Sequence, residues 1–252
     1  MKIVVNGALG RMGSQVVQQV LQEKDMELAG VVDVVKGQAG GLTVSHDLLQ
    51  TIGQTAPDVV VDFTKPAVVM DTLRRILSSK VRVVVGTTGF SEQDLAEVDR
   101  LARENGTAVM IAPNFALGAV VMMKLAAEAA KYFPNVEIIE KHHDRKLDAP
   151  SGTAVMTAKK IAQVRTKMRQ GHPEEKETLA GCRGGDYEGM KIHSLRLPGY
   201  VASQEVIFGG QGETLHISTE PINRECYMPG VMLACRKIKD YTGLVYGLEN
   251  ML

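Results

Sequence analysis

The stretch MKIVVNGALGRMGSQVVQQVL (residues 1–21) joins a short apolar run to a cluster of glycines and then to apolar residues at helical spacing. The apolar run, 3–5, predicts a buried strand, and the later repeat predicts a helix with one apolar face. The glycines lie on the turn between them and are Gly7, Gly10 and Gly13. Such a turn presents backbone N–H groups and the positive end of the helix dipole, which can bind a phosphate. A glycine triplet alone is also compatible with an ordinary tight turn.

A carboxylate after the next strand strengthens the phosphate-binding interpretation. The apolar strand 28–32 ends in Asp33, 20 residues past Gly13, where dinucleotide-binding folds place the group that binds ribose hydroxyls. The spacing is G-x-x-G-x-x-G because Ala8 occupies a position that is usually glycine. The strand, the helix and Asp33 together predict a dinucleotide site.

The alternation of strands and helices continues to residue 115. Apolar strands are predicted at 58–63, 82–86 and 108–113, with helices at 67–77 and 91–104 between them. Repeated strand–helix units indicate a parallel sheet with ligands at the carboxyl ends of its strands. GTTG (86–89) and APNF (112–115) lie at two such ends and favour a cofactor rim, although turn chemistry would explain either one alone.

The second half has a different pattern. Helices are predicted at about 117–132, 150–164 and 229–238, and a loop with at most one helical turn is predicted over 165–189. Strands are predicted at 136–139, 191–199, 204–210 and 213–220. Because short glycine- or proline-containing links join the last three strands, we expect an antiparallel or mixed sheet.

Composition excludes several classes of protein. The 29 Lys and Arg residues balance the 29 Asp and Glu residues, so no net charge attracts nucleic acid or a membrane surface. The three cysteines form no C-x-x-C pair, which favours free thiols over disulfides or structural zinc. With neither a signal peptide nor a bilayer-spanning segment, the sequence predicts a soluble cytoplasmic protein.

The stretch EKHHDRKLDAPSGTA (140–154) has three possible interpretations: a metal site, a proton-transfer site or a charged loop. Adjacent His142 and His143 on a strand would point to opposite faces, which disfavours a shared metal ion. A histidine donates protons near neutral pH, and Lys146 can donate a proton or hold an anion. The helix start at 151–153 adds N–H groups suited to a carboxylate, although helix capping alone would explain its Ser and Thr. We therefore favour proton transfer beside a bound carboxylate, with no metal.

The chain resembles the 4-hydroxy-tetrahydrodipicolinate reductase (dihydrodipicolinate reductase) family of bacterial and plant lysine biosynthesis over its whole length. The resemblance rests on five motifs: GALGRMG (7–13), VGTTGF (85–90), APNFALG (112–118), EKHHDRKLDAPSGTA (140–154) and EVIFGGQGETL (205–215). It implies an NAD(P)H-dependent enzyme that reduces 4-hydroxy-tetrahydrodipicolinate, a cyclic dicarboxylate, to tetrahydrodipicolinate with loss of water.

The resemblance also implies roles for individual residues. His142 matches the proton donor, and Lys146 matches a second donor and substrate-holding cation. The matches to substrate-binding residues are His143, Gly152 and Thr153. The matches to cofactor-binding residues are Gly7, Ala8, Leu9, Gly10, Arg11, Met12, Asp33, Gly86, Thr87, Thr88, Ala112, Pro113, Asn114 and Phe115.

The fold class expected on these grounds is α/β. A Rossmann-type nucleotide domain (1–115 and 225–252) would be joined to an α+β substrate-binding and oligomerisation domain (116–224), in a homotetramer. The cofactor is NADH or NADPH, and Asp33 predicts that NADH is preferred.

Departures from the common family pattern at Gln204, Thr219, Glu220 and Tyr227 bear on cofactor preference and packing more than on the reaction. The sequence is also compatible with two other functions: a dehydrogenase for another amino-acid precursor, such as an aspartate-type enzyme, and a nicotinamide-binding sensor without turnover.

Overall fold

The computed structural model describes all 252 residues, in thirteen strands and seven α-helices. The strands are β1 (Lys2–Asn6), β2 (Glu27–Val32), β3 (Gln38–Ala39), β4 (Leu42–Thr43), β5 (Val59–Asp62), β6 (Arg82–Val85), β7 (Ala108–Ile111), β8 (Asn135–His142), β9 (Gly185–Tyr187), β10 (Met190–Arg196), β11 (Ala202–Gly210), β12 (Glu213–Thr219) and β13 (Gly243–Tyr246). The helices are α1 (Gly13–Gln22), α2 (Leu48–Thr55), α3 (Pro66–Ser78), α4 (Glu92–Glu104), α5 (Leu117–Ala129), α6 (Gly152–Ala162) and α7 (Met228–Lys237). Single turns of 3₁₀ helix occupy Arg224–Tyr227, Ile238–Asp240 and Leu248–Met251.

The first compact unit comprises Met1–Ala116 and Arg224–Leu252. Its six-stranded sheet has the order β13-β7-β6-β5-β1-β2, and every strand pairing is parallel. The strands consist of continuous apolar runs such as VVVD in β5, as expected of a parallel sheet buried on both faces. Strand β2 lies on one side of β1, and strands β5, β6, β7 and β13 follow in that order on the other side. The predicted parallel α/β sheet is confirmed, with its strand order reversing beside β1.

The turn after β1 requires glycine for steric reasons. Gly7 has φ +80°, and a Cβ atom there would lie 2.8 Å from the carbonyl oxygen of Phe63. A Cβ atom on Gly13 would lie 1.9 Å from the carbonyl oxygen of Gly7, because α1 begins directly against the turn. The two glycines therefore allow the first turn of α1 to fold back onto the end of β1.

The second compact unit, Leu117–Asn223, contains a five-stranded sheet in the order β12-β11-β8-β10-β9. The central strand β8 runs parallel to β10 and antiparallel to β11, so the predicted mixed or antiparallel sheet is confirmed as mixed. Along β8 the buried side chains alternate as Val136, Ile138 and Glu140. Helices α5 and α6 pack against this sheet and against each other.

Several local predictions were wrong or incomplete. The segment 165–189, predicted as a loop, contains β9, which pairs with β10 as the edge of the second sheet. Helix α2 and strand β13 were not predicted, and α5 ends at Ala129, earlier than the predicted 132. No helix of the chain is both long enough and apolar enough to cross a membrane.

Two glycine-to-alanine substitutions separate steric need from helix propensity. Gly13→Ala should destabilise the chain by about 1–3 kcal/mol, because the neighbouring backbone carbonyl cannot move aside cheaply. Gly53→Ala in α2 should stabilise it by about 0.5–1 kcal/mol, because a Cβ atom at Gly53 has no neighbour within 4 Å. Thermal unfolding at one protein concentration should show the two melting temperatures shifting in opposite directions. A rise for both variants would contradict the steric account of the turn.

Candidate active site

The start of α1 leaves backbone N–H groups without a side-chain cap, although the N–H of Ser14 already donates to the carbonyl oxygen of Gly10 at 2.9 Å. The N-cap residue Met12 makes no side-chain hydrogen bond to the helix, and the first turn contains no acidic residue. The exposed Arg11 adds a cation beside these N–H groups, while Ala8 is fully buried beneath the turn. The residues of this turn fit a phosphate-bearing cofactor.

The carboxylate of Asp33 is hydrogen-bonded to the same turn. Its Oδ2 accepts a hydrogen bond from the backbone N–H of Leu9 at 2.9 Å, and its Oδ1 accepts one from Val35 at 3.2 Å. The ring of the exposed His46, which sequence analysis did not single out, lies here too, with Nδ1 2.8 Å from the carbonyl oxygen of Asp33. Asp33 therefore lies beside the glycine turn, directly after the end of β2.

The remaining predicted cofactor residues follow β6 and β7. Gly86, Thr87 and Thr88 come directly after β6, and residues 112–115 come directly after β7. A Cβ atom on Gly86 would lie 2.0 Å from the ring of Phe63, so glycine is required at this strand end. The side chain of Asn114 accepts a hydrogen bond from the N–H of Ala116 at 2.8 Å and shapes the turn toward α5.

A buried carboxylate that the sequence analysis did not assign connects these strand ends. Asp62, at the end of β5, is fully buried and accepts hydrogen bonds from Asn6 Nδ2 at 2.6 Å and Thr64 Oγ1 at 2.8 Å. Thr87 Oγ1 lies 3.5 Å from the same carboxylate. Burial raises the pKa of Asp62 above its ordinary value, although these hydrogen bonds work in the opposite direction. Asp62 thereby links the ends of β1, β5 and β6 around one acidic group.

In the second unit, the two ends of the EKHHDRKLDAPSGTA stretch meet at Glu140. This residue is fully buried on β8, and its Oε2 hydrogen-bonds Nδ1 of His142 on the same face of the strand. Arg196 at the end of β10 binds both carboxylate oxygens, with Nη2 2.7 Å from Oε1 and Nη1 2.9 Å from Oε2. The backbone N–H of Ser151 donates to Oε1 at 3.1 Å. Glu140 therefore joins the predicted proton donor to the start of α6.

These contacts set the acidities of the pair. Burial works to raise the pKa of Glu140, but hydrogen bonds from Arg196, Ser194 and His142 outweigh it and hold the pKa below its ordinary value. Burial lowers the pKa of His142, and the charges of Lys146 and Arg196 add to this effect against the opposing influence of Glu140. At neutral pH the carboxylate is ionised, and the imidazole is mostly neutral.

The predicted substrate-binding groups follow this pair along the chain, between residues 143 and 153. Lys146 Nζ is 2.7 Å from Asp148 Oδ1, and this ion pair lowers the pKa of Asp148. The Nδ1 atom of His143 is buried without a hydrogen-bond partner. Gly152 and Thr153 form the first turn of α6, whose N-cap Ser151 accepts a hydrogen bond from the N–H of Ala154.

The predicted site residues thus fall into two groups. The cofactor residues gather at strand ends of the first unit, and those of 142–153 gather around Glu140 in the second. No three His, Cys, Asp or Glu side chains come together in a way that could hold a metal ion.

Comparison with known proteins identifies the family. Models of the dihydrodipicolinate reductase N-terminus and C-terminus match residues 1–115 and 118–252, respectively. The chain belongs to the dihydrodipicolinate reductase family. It is 49% identical to the 4-hydroxy-tetrahydrodipicolinate reductase of Listeria innocua, with 100% of both chains covered. It is also 49% identical to that of Shouchella clausii, with 100% of this chain and 99% of the relative covered.

A solved dihydrodipicolinate reductase has the same fold. The dipicolinate-bound enzyme from Paenisporosarcina sp. TG-14 superposes with a TM-score of 0.94 at 43% identity, covering 100% of this chain and 99% of that one. Membership of a reductase family disfavours both alternatives weighed from the sequence, the dehydrogenase for another amino-acid precursor and the sensor without turnover.

One departure from the common reductase pattern lies next to Glu140. Gln204 on β11 is paired with Glu140 across the sheet, is buried, and donates from Nε2 to Thr157 Oγ1 of α6 at 2.7 Å. Its Oε1 atom is buried without a partner. The residue thus fastens β11 to α6 beside the buried carboxylate.

Replacing Asp62 should weaken nucleotide binding. Asp62→Ala would leave the buried amide of Asn6 and the hydroxyl of Thr64 without their acceptor, so the strand ends around the glycine turn would lose their alignment. We expect the dissociation constant for NADH, measured by fluorescence titration, to rise about tenfold, equivalent to roughly 1.4 kcal/mol. Asp58→Ala is the matched control: Asp58 is exposed, directly precedes the opposite end of β5, and accepts a hydrogen bond from the N–H of Lys2 at 2.7 Å, away from the glycine turn. It should leave the dissociation constant for NADH unchanged. Equal NADH affinity in both variants would mean that Asp62 does not organise the cofactor rim.

Proposed function

We propose that this chain catalyses the pyridine-nucleotide-dependent reduction of 4-hydroxy-tetrahydrodipicolinate to tetrahydrodipicolinate, with loss of water, in lysine (diaminopimelate) biosynthesis. The observation that carries the proposal is the arrangement of His142, Lys146 and the start of α6 around the buried Glu140, within the most specific motif of the family. The ligand named for the solved relative, dipicolinate, is a ring with two carboxylates like the proposed substrate.

The substrate's carboxylates require several donors and a cation. Lys146 supplies an ammonium group, and the first-turn N–H groups of α6 at Gly152 and Thr153 supply hydrogen-bond donors at the positive end of a helix. His143, with a buried nitrogen that has no partner, is the third substrate-binding group. Together these groups hold the ring with its reacting carbons toward His142.

The reduction adds a hydride and a proton across a carbon–carbon double bond of the ring that remains after loss of the 4-hydroxyl as water. A bound nicotinamide supplies the hydride. His142 supplies the proton to the neighbouring carbon, and the ammonium of Lys146 stabilises the negative charge that develops on the ring. Because the resting imidazole is mostly neutral, the proton on His142 has to be gained near the bound dianion, which favours the charged form.

The nucleotide is assigned to the first unit. The turn of Gly7 to Met12 and the start of α1 receive its phosphates, Asp33 its adenosine ribose, and the residues after β6 and β7 its nicotinamide half. We further propose a homotetramer in which residues 116–224 provide substrate binding and assembly, and 1–115 with 225–252 provide nucleotide binding.

An assay of the purified chain tests the function and the role of His142 together. NADH should be oxidised only when freshly made substrate is present, and His142→Ala should lower kcat by about 10²–10⁴-fold while dipicolinate still binds. Since burial holds the pKa of His142 below its ordinary value of 6.5, the fall of kcat/KM with rising pH should already begin on the acid side of pH 6.5. A wild-type chain that oxidises no NADH in the presence of substrate would refute the proposed function. A fully active His142→Ala variant would refute only the assignment of His142 as the proton donor.

Two lysines of the motif should differ in their kinetic effects. Lys146→Ala should raise KM and lower kcat together, because the ammonium serves both binding and charge stabilisation. Lys141→Ala is the matched control. Lys141 lies on the other face of β8, with its Nζ 3.9 Å from Glu220 Oε1, and its replacement should leave kcat and KM nearly unchanged. Steady-state kinetics in which Lys141→Ala is impaired and Lys146→Ala is not would show that the motif has been misaligned.

The choice of nicotinamide depends on charges around the adenosine ribose. Asp33 favours the free hydroxyls of NADH and repels the 2′-phosphate of NADPH, whereas the cations Arg11 and Lys36 attract it. Each exposed charge contact is worth on the order of 1 kcal/mol, or about fivefold. We expect both nucleotides to work, with NADH preferred several-fold.

Asp33→Asn tests this balance with the least structural damage. The amide oxygen can still accept the N–H of Leu9, so the turn keeps its anchor while the negative charge is removed. The ratio of kcat/KM for NADH over NADPH, at fixed ionic strength, should fall to one or reverse. A strong NADPH preference in the unmodified chain would mean that Arg11 and Lys36 outweigh the carboxylate.

A further inference from the structure

Glu140 lies at a position of β8 where the alternation of buried residues predicts an apolar side chain. It follows Val136 and Ile138 on the buried face, and its side chain is 0% exposed. A buried carboxylate is costly unless every oxygen is hydrogen-bonded and the charge is paired. At Glu140 both conditions are met, by groups from β10, α6 and the end of β8 itself.

Arg196 is the partner that keeps Glu140 ionised. Its two terminal nitrogens bind the two carboxylate oxygens side by side, and Nη2 also donates to the carbonyl oxygen of Asp148 at 2.7 Å. Arginine holds a carboxylate in this two-pronged way with both charge and geometry matched. An ionised Glu140 can only accept hydrogen bonds, so its contact to His142 must be donated by Nδ1–H.

That direction of donation decides which nitrogen of His142 exchanges protons. In the neutral ring, Nδ1 carries the hydrogen and Nε2 carries the lone pair, and in the charged ring the additional proton is on Nε2. At the same time, Glu140 holds the N–H of Ser151 and so the beginning of the helix that binds the substrate's carboxylate in the proposed function. The carboxylate of Glu140 thus determines which nitrogen of His142 carries the hydrogen, and it also fixes the position of the first turn of α6.

We propose that Glu140, held by Arg196, is a positioning residue of the reductase: it keeps a hydrogen on Nδ1 of His142, so that Nε2 is the atom that delivers the proton to the substrate, and it fixes the Ser151 peptide group relative to that imidazole. The proposal rests on the proposed function for the identity of the substrate. The tautomer of His142 can be measured independently of it.

Glu137 offers a control on the same strand. It also pairs with an arginine and a histidine, with Arg183 Nη2 at 2.5 Å and His193 Nε2 at 2.7 Å, but it lies on the opposite face of β8 and is 29% exposed. A purely structural carboxylate–arginine–histidine cluster should behave like Glu137. A positioning cluster should not.

The variant Glu140→Gln tests the proposal because glutamine has the same shape. Its oxygen is drawn to Arg196 and Ser151, which turns its NH₂ group toward Nδ1 of His142 and stabilises the opposite tautomer. We expect kcat to fall by about 10²–10⁴-fold, the range reported for a misplaced general acid or base, with the dissociation constants for dipicolinate and NADH changed less than tenfold. The pH above which activity is lost should also move to lower values, because the amide disfavours the charged imidazole. Glu137→Gln should match the wild type in all of these measurements.

A ¹⁵N–¹H spectrum of the histidine rings of the wild-type chain gives a second readout, with the His142 signals assigned by their loss in His142→Gln. The expected pattern is a protonated Nδ1 and an unprotonated Nε2 above neutral pH. A proton on Nε2 in the wild type, or a Glu140→Gln variant whose kcat stays within a few-fold of the wild type, would overturn the proposal. A wild-type chain that shows the expected tautomer but turns over no substrate would leave the positioning geometry standing and reject the proposed function. If Glu140→Gln does not fold, the spectrum alone decides.

Discussion

The buried ion pair of Glu140 and Arg196 is the interaction on which the arrangement of the second unit depends. Three separate pieces of chain meet at it: β8, which carries both Glu140 and His142, the end of β10, and the Ser151 peptide group. Removing either partner alone would leave an uncompensated charge in the interior, which is far more damaging than losing a surface pair. The same contacts that stabilise the carboxylate inside the protein also fix the ring of His142 and the start of α6, the groups proposed to act on the substrate.

The first unit uses a buried carboxylate in a different way. Asp62 is satisfied by neutral donors, and burial raises its pKa, whereas Glu140 faces a guanidinium and has its pKa held down. Neutral donors suit a residue that only has to keep strand ends together beside an anionic cofactor. An ionised acceptor suits a histidine that becomes positively charged in the proposed function.

The sequence predicted those elements whose signals are local. The apolar runs of β1, β5, β6 and β7, the glycine turn and Asp33 all lie where periodicity and spacing put them. Strand β13 was missed although it is no shorter than β5, β6 and β7, because only its parallel pairing with β7 marks it as a strand, and β9 was missed because only its pairing with β10 does so. The role of Glu140 had one overlooked local signal, its alternation with Val136 and Ile138. Its partner Arg196 lies 56 residues further on, a contact that only the parallel pairing of β8 and β10 creates.

If Lys146 binds the substrate as proposed, its ion pair with Asp148 makes that binding an exchange of counter-ions. The ammonium is already neutralised by a carboxylate of its own chain, which is 61% exposed and therefore easily displaced into water. A small monovalent anion gains little by replacing Asp148, since one carboxylate-like contact is traded for another. A ring with two carboxylates brings a second charge for the start of α6 and so gains a contact that Asp148 does not supply. In the proposed function, the internal pair would therefore favour the binding of dianions over singly charged acids.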